Sequence, residues 1–172
     1  EIRKRPRNGD ELASLDPKNL GQQRVVGRVG LGSHAADHSN WKGKVMEATV
    51  IVTFLALAQY TLFGIQVGGM RGKLDVPAPK EFGNEQFERM NRVHLNTAEQ
   101  LILFIPALWM HAFYVNATYG AILGLVFIAG RFIYRAAYLK DPSSRGMGFT
   151  LTFLPSAVLL IWTLVVVVMK MI

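Results

Sequence analysis

The sequence contains no cysteine, and only 18% of its 172 residues are charged. The absence of cysteine excludes disulfide bonds and thiolate metal sites, so any thiol chemistry must use a thiol from outside the chain. Soluble domains carry roughly 25% charged residues. The shortage is concentrated here, because residues 48–70, 100–130 and 146–169 contain no Asp, Glu, Lys or Arg. A helix of about 20 apolar residues spans a bilayer, so these runs predict transmembrane helices.

The charge that is present has a net value of +7, but it does not form a continuous basic segment. The basic residues flank the apolar runs, a placement typical of loop charges and lipid-headgroup contacts. A nucleic-acid-binding surface would need a basic patch on a folded domain. We therefore expect membrane lipids, and no nucleic acid, among the partners.

Four helices are predicted, at residues 45–70, 87–113, 121–139 and 146–171. The long middle run is divided between two of them by a short uncharged turn at 116–120. The fold class is therefore an all-α, transmembrane four-helix bundle that crosses the membrane several times. Basic residues lie in or beside the loops 71–86 and 139–147, and none lies in the second loop. The positive-inside rule places these two loops in the cytosol, although Lys42 and Lys44 argue the other way.

Residues 1–45 form a polar tail that lacks helical or strand periodicity over most of its length. Two interpretations remain open for it. The tail is a genuine segment outside the membrane, or it is a non-native leader or upstream extension, with Met46 as the natural start. The second is favoured because the tail could not build a core. His34 and His38 have no third ligand nearby, so no metal site is predicted.

Polar residues form a stripe on each of the two middle helices. Arg92, Asn96 and Glu99 have the spacing i, i+4, i+7, which places them on one face of a helix. The second stripe consists of Arg131, Tyr134 and Tyr138. Because a charge at membrane depth costs about 2.5–3.5 kcal/mol on insertion scales, these stripes should have partners.

Two interpretations of the stripes are compatible with spacing alone. The stripes bind each other and lock the bundle, or they bind a zwitterionic ligand. Arg92 and Glu99 are two turns apart, roughly 10 Å along the axis. We therefore expect that they do not pair directly and that each interacts with another helix or with a ligand.

The stripes, together with the Asp141-Pro142-Ser143-Ser144-Arg145 turn, resemble the MAPEG family of membrane-associated proteins in eicosanoid and glutathione metabolism. The resemblance covers about residues 46–172 and is strongest to the microsomal glutathione S-transferase type. It implies a homotrimer that binds glutathione between neighbouring subunits, near the cytosolic side. The binding residues that it implies are Arg71, Arg92, His94, Asn96, Glu99, Arg131, Tyr134 and Tyr138. Here His94 replaces a glutamine that is common in the family, and Gln100 stands where the leukotriene synthase has Tyr.

The resemblance implies that Arg145 is the catalytic residue that activates the glutathione thiol. Glu99 would pair with the glutathione amine, and Arg71 and Arg92 with its carboxylates. The expected function is a glutathione transferase, with peroxidase activity as an extension, acting on a lipophilic small-molecule substrate from the membrane. The alternatives are a non-enzymatic, trimeric lipid-binding or accessory subunit and a prostaglandin-type isomerase. Gly146 after Arg145 makes the isomerase less attractive.

Overall fold

The computed structural model describes residues 46–172, so the interpretations of residues 1–45 lie outside the described part of the chain. The described residues are helical and contain no strand. We number the α-helices in chain order. Their bounds are Met46–Lys73 for α1, Glu85–His111 for α2, Ala117–Lys140 for α3 and Gly146–Met171 for α4.

Side-chain caps fix the starts of the two middle helices, which lie a few residues before the predicted ones. Asn84 accepts hydrogen bonds from the backbone of Gln86 and Phe87, so α2 begins at Glu85 rather than at residue 87. Asn116 caps α3 in the same way, and α3 begins at Ala117, four residues before the predicted start. The predicted bounds of α4 are confirmed.

The two middle helices form an antiparallel hairpin although their helical character is almost continuous. A π-helical turn, Ala112–Asn116, follows α2. Asn116 then adopts an extended conformation, with φ −164° and ψ 121°, which reverses the chain. The rings of Phe104 and Phe127 stack with their centroids 3.9 Å apart, which shows that the two helices pack side by side.

The helical stretches have the length and composition of membrane spans. Three stretches among the described residues qualify: Met46–Lys73, Glu85–Lys140, which contains the hairpin, and Pro142–Met171. Many of their large apolar side chains lie on the outside; Phe54, Ile65 and Ile102 are 68%, 67% and 77% exposed. An apolar outside is what a helix bundle surrounded by lipid requires.

The interior consists of two apolar clusters on either side of a polar layer. The Phe63 cluster comprises Phe63, Val67, Val76, Phe87, Met90, Val93 and Tyr134. The Phe104 cluster comprises Val52, Ala56, Leu101, Phe104, Ala107, Leu108, Ala121, Phe127 and Leu159. The chain positions between the two clusters are occupied by buried polar residues, which we call the polar layer: Gln59, Asn96, Thr97 and Arg131.

Helices α3 and α4 approach so closely that a glycine is required at the contact. A Cβ atom added at Gly148 would lie 2.4 Å from both the backbone N and the Cα of Tyr134. Small residues allow such backbone contact between membrane helices. Gly148 therefore sets how closely α4 lies against the part of α3 that carries Tyr134.

Candidate functional site

The polar layer is organised around Arg131, whose side chain is completely buried. One terminal nitrogen, Nη1, donates to Asn96 Oδ1 at 3.0 Å. The other, Nη2, donates to Thr97 Oγ1 at 2.7 Å and to the Val93 carbonyl oxygen at 3.3 Å. Thr97 in turn donates to the Val93 carbonyl at 2.6 Å. The guanidinium is therefore held by α2 through several hydrogen bonds, as a buried charge requires.

Asn96 links this buried arginine to the half-exposed end of the α2 stripe. While its Oδ1 accepts from Arg131, its Nδ2 donates to Glu99 Oε2 at 2.9 Å. Because an amide has one accepting and one donating end, the contact with Arg131 fixes which end faces Glu99. The side chains of residues 96, 99 and 131 therefore form one connected network.

The expectation that Arg92 and Glu99 would not pair directly is wrong. The Nη1 of Arg92 lies 3.4 Å from Glu99 Oε1. Both side chains are long enough to extend toward each other along the helix surface and so cover the two turns that separate them. Each side chain is 53% exposed, so this ion pair lies on the outside of the single chain, where a ligand or a neighbouring chain can reach it.

The α3 stripe continues the network toward the end of the helix through stacked side chains. The Arg131 guanidinium lies 4.3 Å from the centroid of the Tyr134 ring. Tyr134 stacks with Tyr138 at 5.5 Å, and the Arg145 guanidinium lies 5.8 Å from the centroid of the Tyr138 ring. Arg145 has no carboxylate within 4.0 Å among the described residues. The column thus ends in an exposed cation that is free to meet an anion.

A short turn positions Arg145 between α3 and α4. The residues Pro142–Arg145 form a 3₁₀ helix. Asp141 caps it, accepting hydrogen bonds from the backbone and the hydroxyl of Ser143. These bonds favour the carboxylate and hold the pKa of Asp141 below its usual value. Ser144 Oγ also donates to the Ala137 carbonyl, so the turn is tied to the last residues of α3.

His94 and Arg71 lie apart from this network. His94 follows Arg92 by two residues, which is about 200° around a helix. Its ring stacks on Tyr60 of α1, with centroids 4.4 Å apart. Arg71 lies at the end of α1, with its guanidinium 4.7 Å from the centroid of the Phe87 ring. Within one chain the structure therefore groups Arg92, Asn96, Glu99, Arg131, Tyr134, Tyr138 and Arg145, and leaves these two on another side of α2.

Thr97, which gives Arg131 its shortest hydrogen bond, was not among the residues predicted from the sequence. Thr97 follows Asn96, so it lies 100° farther around α2 and outside the stripe that periodicity selects. In the sequence, Thr97 could be recognised only as a small polar residue at a helix position that is expected to be apolar. No group of three His, Cys, Asp or Glu that could hold a metal occurs in the described region, and the site is composed of cations, hydroxyls, an amide and one carboxylate.

Comparisons with known proteins identify the family of the chain. A family model described as "MAPEG family" matches residues 49–165. An uncharacterized protein of Synechocystis is 42% identical over 114 residues, which is 66% of this chain and 83% of that protein. Microsomal glutathione S-transferase 2 is 38% identical in Homo sapiens and 36% identical in Bos taurus. Each match covers 101 residues, 59% of this chain and 69% of the relative. The chain is thus a member of the MAPEG family of integral membrane proteins.

Proposed function

We propose that the protein is a trimeric membrane glutathione transferase with four transmembrane spans. In this proposal, it joins glutathione to lipophilic electrophiles. The observation that carries the proposal is the continuous polar network from Arg131 to Glu99, together with the aromatic column that ends at Arg145. Glutathione has two carboxylates, one ammonium group and one thiol. The half-exposed Arg92 and Glu99 and the exposed Arg145 offer two cations and one carboxylate, so charges of both signs in the ligand can be paired.

The network is also compatible with a purely structural role, because its members already bond to each other. The weakest contact of the network distinguishes the two roles. At 3.4 Å the contact of Arg92 with Glu99 is longer than the about 2.7–2.9 Å of a charge-assisted hydrogen bond, so the pair is not at its best geometry. A ligand ammonium on Glu99 and a ligand carboxylate on Arg92 would replace one weak contact by two charge-assisted hydrogen bonds, each worth about 1.5–3 kcal/mol.

The separate location of His94 and Arg71 supports a site that two subunits complete. In one chain these residues face another side of α2 from Arg92 and Glu99. A symmetric trimer brings different faces of the same chain together at each boundary. We propose that Arg71 and His94 of one subunit meet the network of the next, with the loops 71–86 and 139–147 on the cytosolic side.

The proposed chemistry requires a thiolate, because the thiol itself is a poor nucleophile. Arg145 stays protonated, so it stabilises the thiolate by charge and hydrogen bonding and does not accept the thiol proton, which leaves to water. The thiolate sulfur then forms a bond to an electrophilic carbon of the apolar substrate, and the substrate's leaving group departs with the bonding electron pair. Each unit by which Arg145 lowers the thiol pKa corresponds to about 1.4 kcal/mol.

The proposal is tested by separating glutathione binding from conjugation in detergent-solubilised protein. We expect Glu99→Ala to weaken glutathione binding about tenfold or more, the loss of one charged hydrogen bond. We expect Arg145→Ala to bind glutathione but to lose at least about tenfold of its conjugation rate with a generic electrophile, together with the ultraviolet absorbance of the bound thiolate. Lys140→Ala is the matched control, because it removes an exposed cation outside the network.

Co-expression tests the shared site. Mixed oligomers of Arg71→Ala and Arg145→Ala subunits contain some boundaries at which both arginines are intact, so activity above that of either variant alone is expected. If Arg145→Ala turns over as fast as the wild type, the catalytic role is wrong. If the wild type shows neither a thermal shift nor a titration signal with glutathione, the protein is an accessory subunit instead.

A further inference from the structure

A cavity with a mostly apolar wall lies between the ends of α1 and α3 and Met90 of α2, outside the candidate functional site. Its volume is about 310 Å³, and Gln66, Gly69, Lys73, Arg135 and Leu139 contribute to its wall. Lys73 ends α1 and Leu139 is the last residue but one of α3. The cavity is therefore at the end of the apolar spans, the depth at which lipid headgroups begin.

Arg135 is oriented into this cavity by one hydrogen bond. Its Nε donates to Gln66 Oε1 at 2.8 Å, and its guanidinium lies 5.8 Å from the centroid of the Phe63 ring. Held by its Nε, the guanidinium retains its two terminal nitrogens for another acceptor, since neither donates a hydrogen bond to residues 46–172. Gln66 thus acts as a positioning residue for a planar, forked donor.

Neither of the two cations at this cavity is neutralised by the described chain. The ion pairs among residues 46–172 are those of Arg89 with Glu85 and of Arg92 with Glu99. No carboxylate lies within 4.0 Å of Arg135 or Lys73. An uncompensated charge near the hydrocarbon is costly, so two of them beside one cavity point to an anionic partner.

The cavity and the candidate functional site lie on different sides of the helices. Gln66 is five residues before Arg71, about 140° around α1. The contact of Gln66 is with α3, whereas Tyr60, near the Arg71 side of α1, stacks on His94 of α2. Arg135 lies one helical turn after Arg131, but it donates its hydrogen bond to α1, whereas Arg131 donates to α2.

We propose that this cavity binds an anionic phospholipid, with its phosphate on Arg135 and Lys73 and one acyl chain against the apolar wall formed by Met70, Met90 and Leu139. Basic pockets between membrane helices near the headgroup level are suited to such lipids. The long side chain of Lys73 can lie along the apolar wall while its ammonium reaches the phosphate. Gly69 leaves the cavity open, because a Cβ there would meet nothing within 4 Å.

The experiment compares lipids with matched acyl chains on the full-length, detergent-solubilised protein. We expect phosphatidylglycerol to raise the midpoint of thermal unfolding and to stay bound in native mass spectra, and phosphatidylcholine to do neither. Lys73→Gln and Arg135→Gln should each bind phosphatidylglycerol at least about fivefold more weakly, the effect of one cation near a headgroup. Lys73 is exposed, so its variant tests the proposal even if Arg135→Gln fails to fold.

A glycine pair tests the cavity separately from the charges. Gly69→Leu should fill the cavity and weaken phosphatidylglycerol binding. Gly68→Leu is the matched control, because Gly68 also meets open space but does not line the cavity. The glutathione-dependent thermal shift should be unchanged in all four variants, which separates this proposal from the proposed function. Equal binding of phosphatidylcholine, an equal shift with inorganic phosphate alone, or full binding by Lys73→Gln would overturn it.

Discussion

The two ends of the α2–α3 hairpin contain polar residues of comparable burial but use them differently. Beside the Phe63 cluster, Arg131 is bonded to Asn96 and Thr97, and the network reaches a half-exposed ion pair. Beyond the Phe104 cluster, His111 is also fully buried, yet neither of its ring nitrogens has a hydrogen-bond partner in the described chain. Its ring packs edge-on against Trp162, with centroids 5.2 Å apart.

This difference shows what distinguishes a candidate site from a buried polar residue in a membrane helix. Burial and polarity are common to both ends. Only at the end near Arg145 do hydrogen bonds connect the buried polar groups to the surface. There a ligand could replace one of the contacts between side chains.

Removal of the buried cation should give the largest effect on ligand binding. In Arg131→Met, Asn96 loses the partner that fixes its amide, so Glu99 is no longer held toward a ligand. We expect glutathione affinity to fall about 10- to 100-fold, as for the loss of charged hydrogen bonds. Isothermal titration measures this change, and Phe127→Leu, in the Phe104 cluster, is the control whose affinity should not change. Wild-type affinity in Arg131→Met would show that the network is only structural.

Glycine substitutions should damage stability at both ends but binding at only one. Gly148→Ala places a Cβ against the backbone of Tyr134, so α4 must shift; overpacking of this kind costs about 1–3 kcal/mol. Gly124→Ala meets the Val52 side chain at 2.4 Å and should destabilise the other end. Both variants should unfold at lower temperature, whereas glutathione affinity should fall only in Gly148→Ala.

Gly146→Ala is the matched control for the first of these variants, because a Cβ at Gly146 meets open space. It should leave both the unfolding temperature and the glutathione affinity as in the wild type. Equal loss of affinity in Gly148→Ala and Gly124→Ala would contradict the distinction between the two ends.

Replacement of His111 should be tolerated or favourable. His111→Phe removes two buried polar atoms that have no partner among the described residues and keeps a ring against Trp162. We expect the protein to be unchanged or more stable by about 1 kcal/mol, with glutathione affinity unaffected. Thermal unfolding in detergent, with and without glutathione, checks both. A loss of binding in this variant would reveal a function at the Phe104 end.

The smallest effect is expected from the pH dependence of the turn that holds Arg145. Because the pKa of Asp141 is lowered on folding by the bonds from Ser143, its carboxylate stabilises the fold at pH values above its usual 3.8. This contribution is lost as the pH falls through the folded-state pKa. Asp141→Asn should therefore unfold at a slightly lower temperature than the wild type at neutral pH, and the difference should close in acid. A constant difference would contradict this account.

The helices and the polar stripes could be predicted from the sequence because both depend on local regularities. Charge-free runs gave the spans, and the i, i+4, i+7 spacing selected the three polar residues of α2. Helix ends were less accurate, because Asn84 and Asn116 could be read either as loop residues or as caps. Whether such an asparagine caps a helix can be decided only from the backbone conformation at that residue.

The contacts between helices could not be predicted in this way. The ion pair of Arg92 and Glu99 depends on side-chain conformations, and the bonds of Arg131 to Thr97 and of Arg135 to Gln66 depend on how α1, α2 and α3 rotate against each other. The requirement for Gly148 arises from the distance between two backbones. None of these contacts and distances produces a periodic pattern in a single sequence.

The hydrogen bonds of Arg71 have a consequence for the segment between α1 and α2. Its Nη1 donates to the carbonyl oxygens of Val76 and Lys80, so the main chain of that segment holds one corner of the guanidinium. The opposite edge, formed by Nε and Nη2, makes no hydrogen bond with the described residues and has the spacing of a carboxylate. The segment therefore fixes the orientation of this edge, and its length determines where a ligand carboxylate would bind.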